Sequence, residues 1–334
     1  MTRLDYAQFL LAAQRNYTLT YFADHHDSLS HDAINRFMSS DKLTPRLVWD
    51  NVKDEIEAHK NGYLIFDDTV LDKRHSKHID LARRQYSGAA KGVIEGIGLV
   101  TCVYVDPDSE RFWLIDYRLF DPETDGKSKH EHVHDMLLHT VHSKQLAFTT
   151  VLMDTWYATM KLWKQLEALG KLYYCPIRSN RQVSLSPETG YQVVSRLLWS
   201  DAELRQGRLV HLKKMPRGHQ VRLFRLVSST GDTDYVVTND VSVASAQGAQ
   251  EVSGLRWKIE QVHREVKQVT GIAECQCRKG RIQRNHIGCA LLVWVRLKAL
   301  AAKAGTSVYQ LKQGLLSDYM VAQLRNPAIP LQLA

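Results

Sequence analysis

Three acidic residues far apart in the chain, Asp67, Asp154 and Glu260, have the type and setting to do chemistry together. Asp67 follows the apolar run Tyr63-Leu-Ile-Phe66, and Asp154 follows Phe148 to Met153. Short apolar runs of this kind read as buried strands, so both aspartates are expected at strand ends. If the two strands are parallel neighbours, their ends converge at one sheet edge, and a helix carrying Glu260 can pack across that edge. Convergent carboxylates raise one another's pKa unless a cation compensates them. Magnesium is hard, takes oxygen ligands and is held by few carboxylates plus substrate phosphate. A pair of such ions can activate a water and stabilise a leaving oxygen in phosphoryl transfer. Each acid also has a plainer reading: Asp67-Asp68 as turn residues, Asp154 as a helix N-cap, Glu260 as a solvated helix charge. Asp68 competes with Asp67 for the first position, and Asp67 is preferred because it directly follows the apolar run.

The segment Ser253-Gly-Leu-Arg-Trp-Lys-Ile-Glu-Gln-Val-His-Arg-Glu-Val-Lys267 is the most informative stretch. With about 100° per helical residue and Arg256 at zero, Glu260 falls near ~40°, Lys267 near ~20° and Ser253 near ~60°. One narrow stripe thus places a carboxylate among basic and hydroxyl groups. Such a face holds a metal through Glu260 and phosphates through Arg256 and Lys267. Otherwise it is a solvated stripe with an i,i+4 ion pair.

This segment resembles the Tyr-x2-Arg-x3-Glu-x6-Lys signature of bacterial insertion-sequence DDE transposases. Arg256, Glu260 and Lys267 match it in identity and spacing, while Ser253 stands where the family has tyrosine. Phe66-Asp-Asp-Thr-Val70 looks like the family's first aspartate position, and Leu152-Met-Asp-Thr-Trp-Tyr157 like its second. The long interval from Asp154 to Glu260 is similar to members that carry a β-strand insertion before the glutamate. The resemblance covers roughly residues 60–300. It implies catalytic and metal-binding roles for Asp67, Asp154 and Glu260, with two Mg2+ ions for which Mn2+ can substitute. It also implies cut-and-paste chemistry: cleavage at transposon ends, then attack of the freed 3′-OH on target DNA. The implied partners are double-stranded DNA, both terminal inverted repeats and target, and a second subunit in a homodimer on DNA. Two rival readings stay open, a catalytically decayed or domesticated DNA-binding protein and a structure-specific nuclease of the same fold.

Further DNA contacts are assigned to Ser253, Arg256, Lys267, Trp257, Lys73, Arg178 and Arg181. Trp257 either stacks on an unpaired base or packs in the core. Lys73 opens the basic stretch Lys73, Arg74, Lys77, Arg83, Arg84 and Lys91, a phosphate loop or a solvated one. Arg178-Ser-Asn-Arg181 follows an expected strand.

The elements that must position these residues follow from periodicity. Residues 1–58 read as a helical N-terminal region, either a helix-turn-helix DNA reader or a packing subdomain. Strands are expected at 63–66, 93–105, 111–120, 148–153 and 171–175, with Asp106-Pro-Asp-Ser109 as a hairpin turn. Helices are expected at 128–145 and 155–169, the latter ending at Gly170. This order is the ribonuclease H-like one: an α/β fold with a mixed five-stranded sheet flanked by helices. Residues 59–176 and 251–305 are assigned to that core, 177–250 to a β-rich insertion and 306–334 to a C-terminal helical tail. Ser228 to Asp232 is expected as a turn, 244–250 as a linker and 326–330 as the closing tail.

Composition is consistent with this reading. The 334 residues carry a net charge of +8, with 44% hydrophobic and 24% charged residues, as in a globular protein with a polyanionic partner. Five cysteines, an odd number, fit reduced thiols in a reducing compartment. No stretch has the roughly 18 apolar residues of a membrane span. Met1-Thr-Arg-Leu-Asp5 has no apolar leader, so a prokaryotic cytoplasmic location, nucleoid-associated when DNA is bound, is expected.

Overall fold

A computed structural model describes all residues except 76, 77, 187, 228–230, 244, 327 and 329–334. Lys77 of the basic stretch, part of the expected 228–232 turn, Ala244 of the expected linker and most of the tail therefore lie outside the described residues. Four helices come first: α1 (Arg3–Ala12), α2 (Leu19–Asp24), α3 (His31–Ser40) and α4 (Arg46–Val52). Next are β1 (Tyr63–Asp72), β2 (Arg83–Ser87), β3 (Gly92–Val105) and β4 (Phe112–Phe120), then α5 (Pro122–Asp125) and α6 (Lys129–Leu138). After β5 (Thr150–Met153), α7 (Met160–Ala168) and β6 (Leu172–Ile177) come β7 (Gln182–Ser184), β8 (Gln192–Val193) and α8 (Asp201–Gln206). The chain continues through β9 (Arg208–Leu212), β10 (Val221–Val227) and β11 (Thr233–Thr238). It ends in α9 (Ala246–Gly254), α10 (Trp257–Val269), α11 (Gly280–Ala304), α12 (Val308–Gly314) and α13 (Ser317–Arg325). Among the described residues no helix is long and apolar enough to cross a membrane.

Two compact units result: residues 1–55, 69–98 and 262–334, and residues 56–68 and 99–261. The first is helical and is organised around α11, against which α1, α3, α4 and α12 pack. Leu291, Trp294 and Ile287 of α11 are buried, as are Tyr6, Leu10, Ile34 and Val48 of the helices around it. Helix starts follow local chemistry: Thr2 and Asp5 form a capping box for α1, and the Ser30 hydroxyl accepts from the Ala33 amide at the start of α3. Polar side chains hook the packed helices together. Asn285 donates to the Met38 and Asp41 carbonyls and accepts from the Leu43 amide. His286 Nε2 donates to the Gly271 carbonyl at 2.9 Å, so its Nδ1 accepts from the Tyr6 hydroxyl, also at 2.9 Å. Lys312 donates to the carbonyls of Leu10, Leu11 and Ala13, satisfying the open C-terminus of α1. β2 pairs antiparallel with β3 from Arg83↔Gly96 to Ser87↔Gly92. A Cβ at Gly96 would sit 2.6 Å from the Leu71 carbonyl oxygen, so the approach of β3 to β1 needs glycine there.

The second unit is built on a mixed sheet. β3 lies between β4 and β1, and the order continues β1-β5-β6-β11-β10-β9-β7-β8. β1, β5 and β6 are parallel, and β6 through β8 alternate antiparallel. α6 packs against β4, α7 against β6, and α9 against β6 and β10. The Ser128 capping box starts α6, and Gly170, with φ +65°, follows α7 as expected.

Four expectations need correction. β1 does not stop before Asp67 but runs on to Asp72, and β2 was not anticipated because Arg83-Arg-Gln-Tyr-Ser87 carries little apolar signal. The sheet does not end at five strands, because β11 pairs with β6 and carries the strands of 177–250 into the same sheet. Residues 246–254 form α9, not a linker: the Ser245 hydroxyl accepts from the Gly248 amide, and Ala249 is buried. Composition alone does not separate a capped helix of small residues from a flexible linker.

His286 is fully buried, and burial depresses its pKa from 6.5 to about 4. The unfolded chain takes up the proton first, so stability is complete above pH 6.5 and is lost as pH falls toward 4, by about 3 kcal/mol. Urea unfolding of wild type and His286→Gln across that window checks this: the acid slope of the wild type must exceed that of the variant.

Candidate active site

β1 and β5 pair in parallel with the register Tyr63↔Thr150 to Phe66↔Met153. Leu64, Ile65, Phe66, Val151, Leu152 and Met153 are almost wholly buried, which fixes this register against slippage. Asp67 and Asp154 are the next residues on the two chains, so they stand side by side where β5 ends. Asp67 is partly buried, and burial raises its carboxyl pKa from 3.8 to about 7. The charges of Asp68 and Asp154 add to the rise, while the Asp68 amide and the charge of Arg256 oppose it.

Asp68 has a different role. Its carboxylate accepts from Lys129 Nζ and from the Tyr157 hydroxyl, both at 2.6 Å. Two strong donors occupy it, whereas the Asp67 carboxylate accepts only the adjacent Asp68 amide at 2.8 Å among the described residues. Of the two rivals, Asp67 keeps the oxygen atoms available to a ligand. Asp154 accepts from the Thr155 amide at 2.6 Å and caps the 3-10 turn Thr155–Tyr157, so the N-cap reading of this residue also holds.

Glu260 lies in the first turn of α10, where its carboxylate takes Arg256 Nη1 at 2.9 Å. The i,i+4 pair expected as the plainer reading is therefore formed. Among the described residues, no group of three His, Cys, Asp or Glu side chains is positioned to hold one metal ion. The fold thus brings Asp67 and Asp154 together and leaves Glu260 on its arginine.

The remaining site residues separate. Ser253 and Arg256 line a cleft of about 290 Å3 with Asp154, Thr155, Tyr174 and Pro176, and the Ser253 hydroxyl there is buried without a hydrogen-bond partner among the described residues. Trp257 is 56% exposed, which excludes the core-packing alternative. Arg178 is exposed beyond β6, and the Arg181 guanidinium lies over the Trp163 ring at 5.4 Å. Lys267 falls in the helical unit, where its Nζ donates to the Thr69 hydroxyl at 2.6 Å and burial lowers its pKa. Lys73 is a correction: it is 3% exposed, and its ammonium is held by the Ala273 and Cys275 carbonyls at 2.7 and 2.6 Å. A cation so enclosed closes a loop and has no face for phosphate.

Sequence reasoning missed Lys129, Tyr157 and Trp156. Tyr157 and Trp156 sat in the motif around Asp154, where only the aspartate was assigned a role. Trp156 is 53% exposed and its indole lies 5.2 Å from the His130 ring. Lys129 carried no sequence signal, because its partner Asp68 is distant in the chain.

Because ionisation of Asp67 is disfavoured in the fold, its penalty is absent below about pH 4 and complete above about pH 7. In metal-free buffer Asp67→Asn should therefore stabilise the protein at pH 8 by on the order of 3 kcal/mol and by nothing at pH 4. Chemical unfolding in chelator at both pH values measures this, and equal stability of variant and wild type at pH 8 would contradict it.

Residues 59–296, a span that includes all three acids, match the family described as Transposase DDE domain. No curated protein matches the chain. Among solved structures, the chain is similar to piggyBac transposase in a synaptic complex with hairpin DNA, with TM-score 0.47 and 13% identity over 98% of this chain and 73% of that one. It is also similar to Endonuclease V from Bacillus subtilis, with TM-score 0.24 and 11% identity over 72% of this chain and 98% of that one. A third is the NurA nuclease from Sulfolobus solfataricus, with TM-score 0.23 and 9% identity over 70% of this chain and 92% of that one.

Proposed function

The chain belongs to the transposase DDE-domain family, and on that premise we propose that it cuts DNA at transposon ends and joins the freed 3′ ends to target DNA in a cut-and-paste reaction. The observation that carries the proposal is the side-by-side placement of Asp67 and Asp154 at the end of β5, with the Asp67 carboxyl raised to about 7. A partly buried carboxyl with that pKa, beside a second aspartate, has too little positive charge near it to offset desolvation and repulsion. Two oxygen donors in such a place suit a hard divalent ion. Asp67 and Asp154 would hold magnesium, or manganese in its place, and Glu260 would complete the set. Bound magnesium supplies Lewis-acid activation of the attacking oxygen and neutralises charge on the scissile phosphate.

The chain's own residues do the positioning. Arg256 pairs with Glu260 in the absence of DNA. A DNA phosphate is a better partner for the arginine fork than a half-exposed carboxylate within one helix, where such pairs contribute only about 0.3–0.5 kcal/mol. DNA arrival would therefore draw Arg256 onto phosphate and free Glu260 for the metal. Lys129 and Tyr157 keep Asp68 neutralised, so that it does not compete for the ion. Trp156 and Trp257 offer exposed aromatic faces to bases unpaired near the cut, and Arg178 offers a further phosphate contact. The terminal inverted repeats and the target duplex are the DNA partners, bridged by a homodimer.

Glu260→Gln and Asp67→Asn should each lower magnesium-dependent cleavage of terminal-repeat DNA by at least on the order of a thousandfold, while DNA affinity measured in chelator is kept. Undiminished cleavage by Glu260→Gln removes this residue from the site. Cleavage by the wild type without any strand transfer to a target duplex replaces the transposase reading with a nuclease.

A further inference from the structure

Cys275-Gln-Cys277, in the connection between α10 and α11, takes no part in the proposed DNA chemistry, yet the fold treats its two thiols unequally. Cys275 is 3% exposed, whereas Cys277 is partly open to solvent. The two thiols stand two residues apart on one loop, near enough for each to shift the other's ionisation. The loop that bears them is tied down from two sides. Lys73 donates to the Cys275 carbonyl, and Gln283 donates to the carbonyls of both Cys275 and Cys277, at 3.0 and 2.7 Å. Cys102, Cys175 and Cys289 are buried.

We propose that Cys277 and Cys275 form a peroxide-reactive dithiol, in which Cys277 is the attacking thiol and Cys275 the resolving one. An accessible thiolate next to a second sulfur is the arrangement that oxidises reversibly and not onward to sulfinic acid. The neighbouring Cys275 thiol and the positive charges of His31 and Lys73 hold the Cys277 thiol down at about 7 against burial, while the Cys275 thiol is pushed up. Near neutral pH a substantial fraction of Cys277 is therefore thiolate. In the first step that thiolate attacks one oxygen of hydrogen peroxide. An S–O bond forms, the O–O bond breaks and hydroxide leaves, giving Cys277 sulfenic acid. In the second step the Cys275 sulfur attacks the Cys277 sulfur. An S–S bond forms and the S–O bond breaks, and the departing hydroxide takes up the Cys275 proton as water. Two thiols lose two electrons and two protons, and one peroxide becomes two waters.

The full-length native protein tests this by labelling with N-ethylmaleimide before and after stoichiometric hydrogen peroxide, with peptide mapping under non-reducing conditions. Fast labelling is expected at Cys277 alone, is lost after peroxide and returns with dithiothreitol, and the oxidised protein yields a peptide linked Cys275–Cys277. Cys277→Ser should abolish the fast label and the linkage. Cys275→Ser should keep the label but stop at a sulfenic acid that dimedone traps. The proposal is overturned if the wild-type map contains no Cys275–Cys277 linkage, if peroxide links another pair first, or if Cys275→Ser recovers from peroxide without a dimedone-reactive stage. The wild-type map decides the matter even if neither variant folds.

Discussion

The parallel pairing of β1 with β5 is the constraint on which the candidate active site depends. Two apolar triplets, Leu64 to Phe66 and Val151 to Met153, are buried on both sides of the sheet, and burial of that extent leaves one register. The register in turn places two carboxyl groups next to each other at the point where one strand stops and the other continues. Their repulsion and desolvation are tolerated because the apolar burial behind them is large. A site poised in this way is electrostatically incomplete, and that incompleteness is what a cation and a phosphate chain would relieve.

The unit containing these acids compensates their charges unequally. Asp68 is neutralised by an ammonium and a phenol, Asp154 is half-used by a backbone amide, and Glu260 is held by a guanidinium one helical turn away. The carboxylates of Asp67 and Asp154 each accept only the amide of the next residue among the described residues. Asp68 and Glu260 are thus satisfied by charged side chains, whereas Asp67 and Asp154 are not. In the free protein Glu260 is held by Arg256, the residue proposed to take a DNA phosphate.

The helical unit solves a different problem. Its central helix, α11, is buried over most of its length, so polar side chains near it must find partners inside the protein. Asn285, His286, Lys312 and Lys73 do so by pairing with backbone groups at helix ends and loops. These hooks set the register of one helix against the next, a specificity that apolar contacts alone do not provide.

The amino-acid sequence by itself determined the strand cores around the two aspartates, the caps that start α1, α3 and α6, the turn after Asp106, the end of α7 and the stripe Arg256–Glu260. All of these depend on near neighbours or on a period along one element. Tertiary structure decided what depends on residues far apart in the chain. Lys73 became a buried loop clamp because the carbonyls of Ala273 and Cys275 lie against it, although its sequence context was that of an exposed basic stretch. Asp68 was separated from Asp67 by Lys129 and Tyr157, and the strands of 177–250 joined the main sheet through β11 instead of standing apart. Hydrophobic periodicity reports which face of an element is buried, but not which distant donor will meet a given carbonyl or carboxylate, and that second kind of information exists only once the chain has closed on itself.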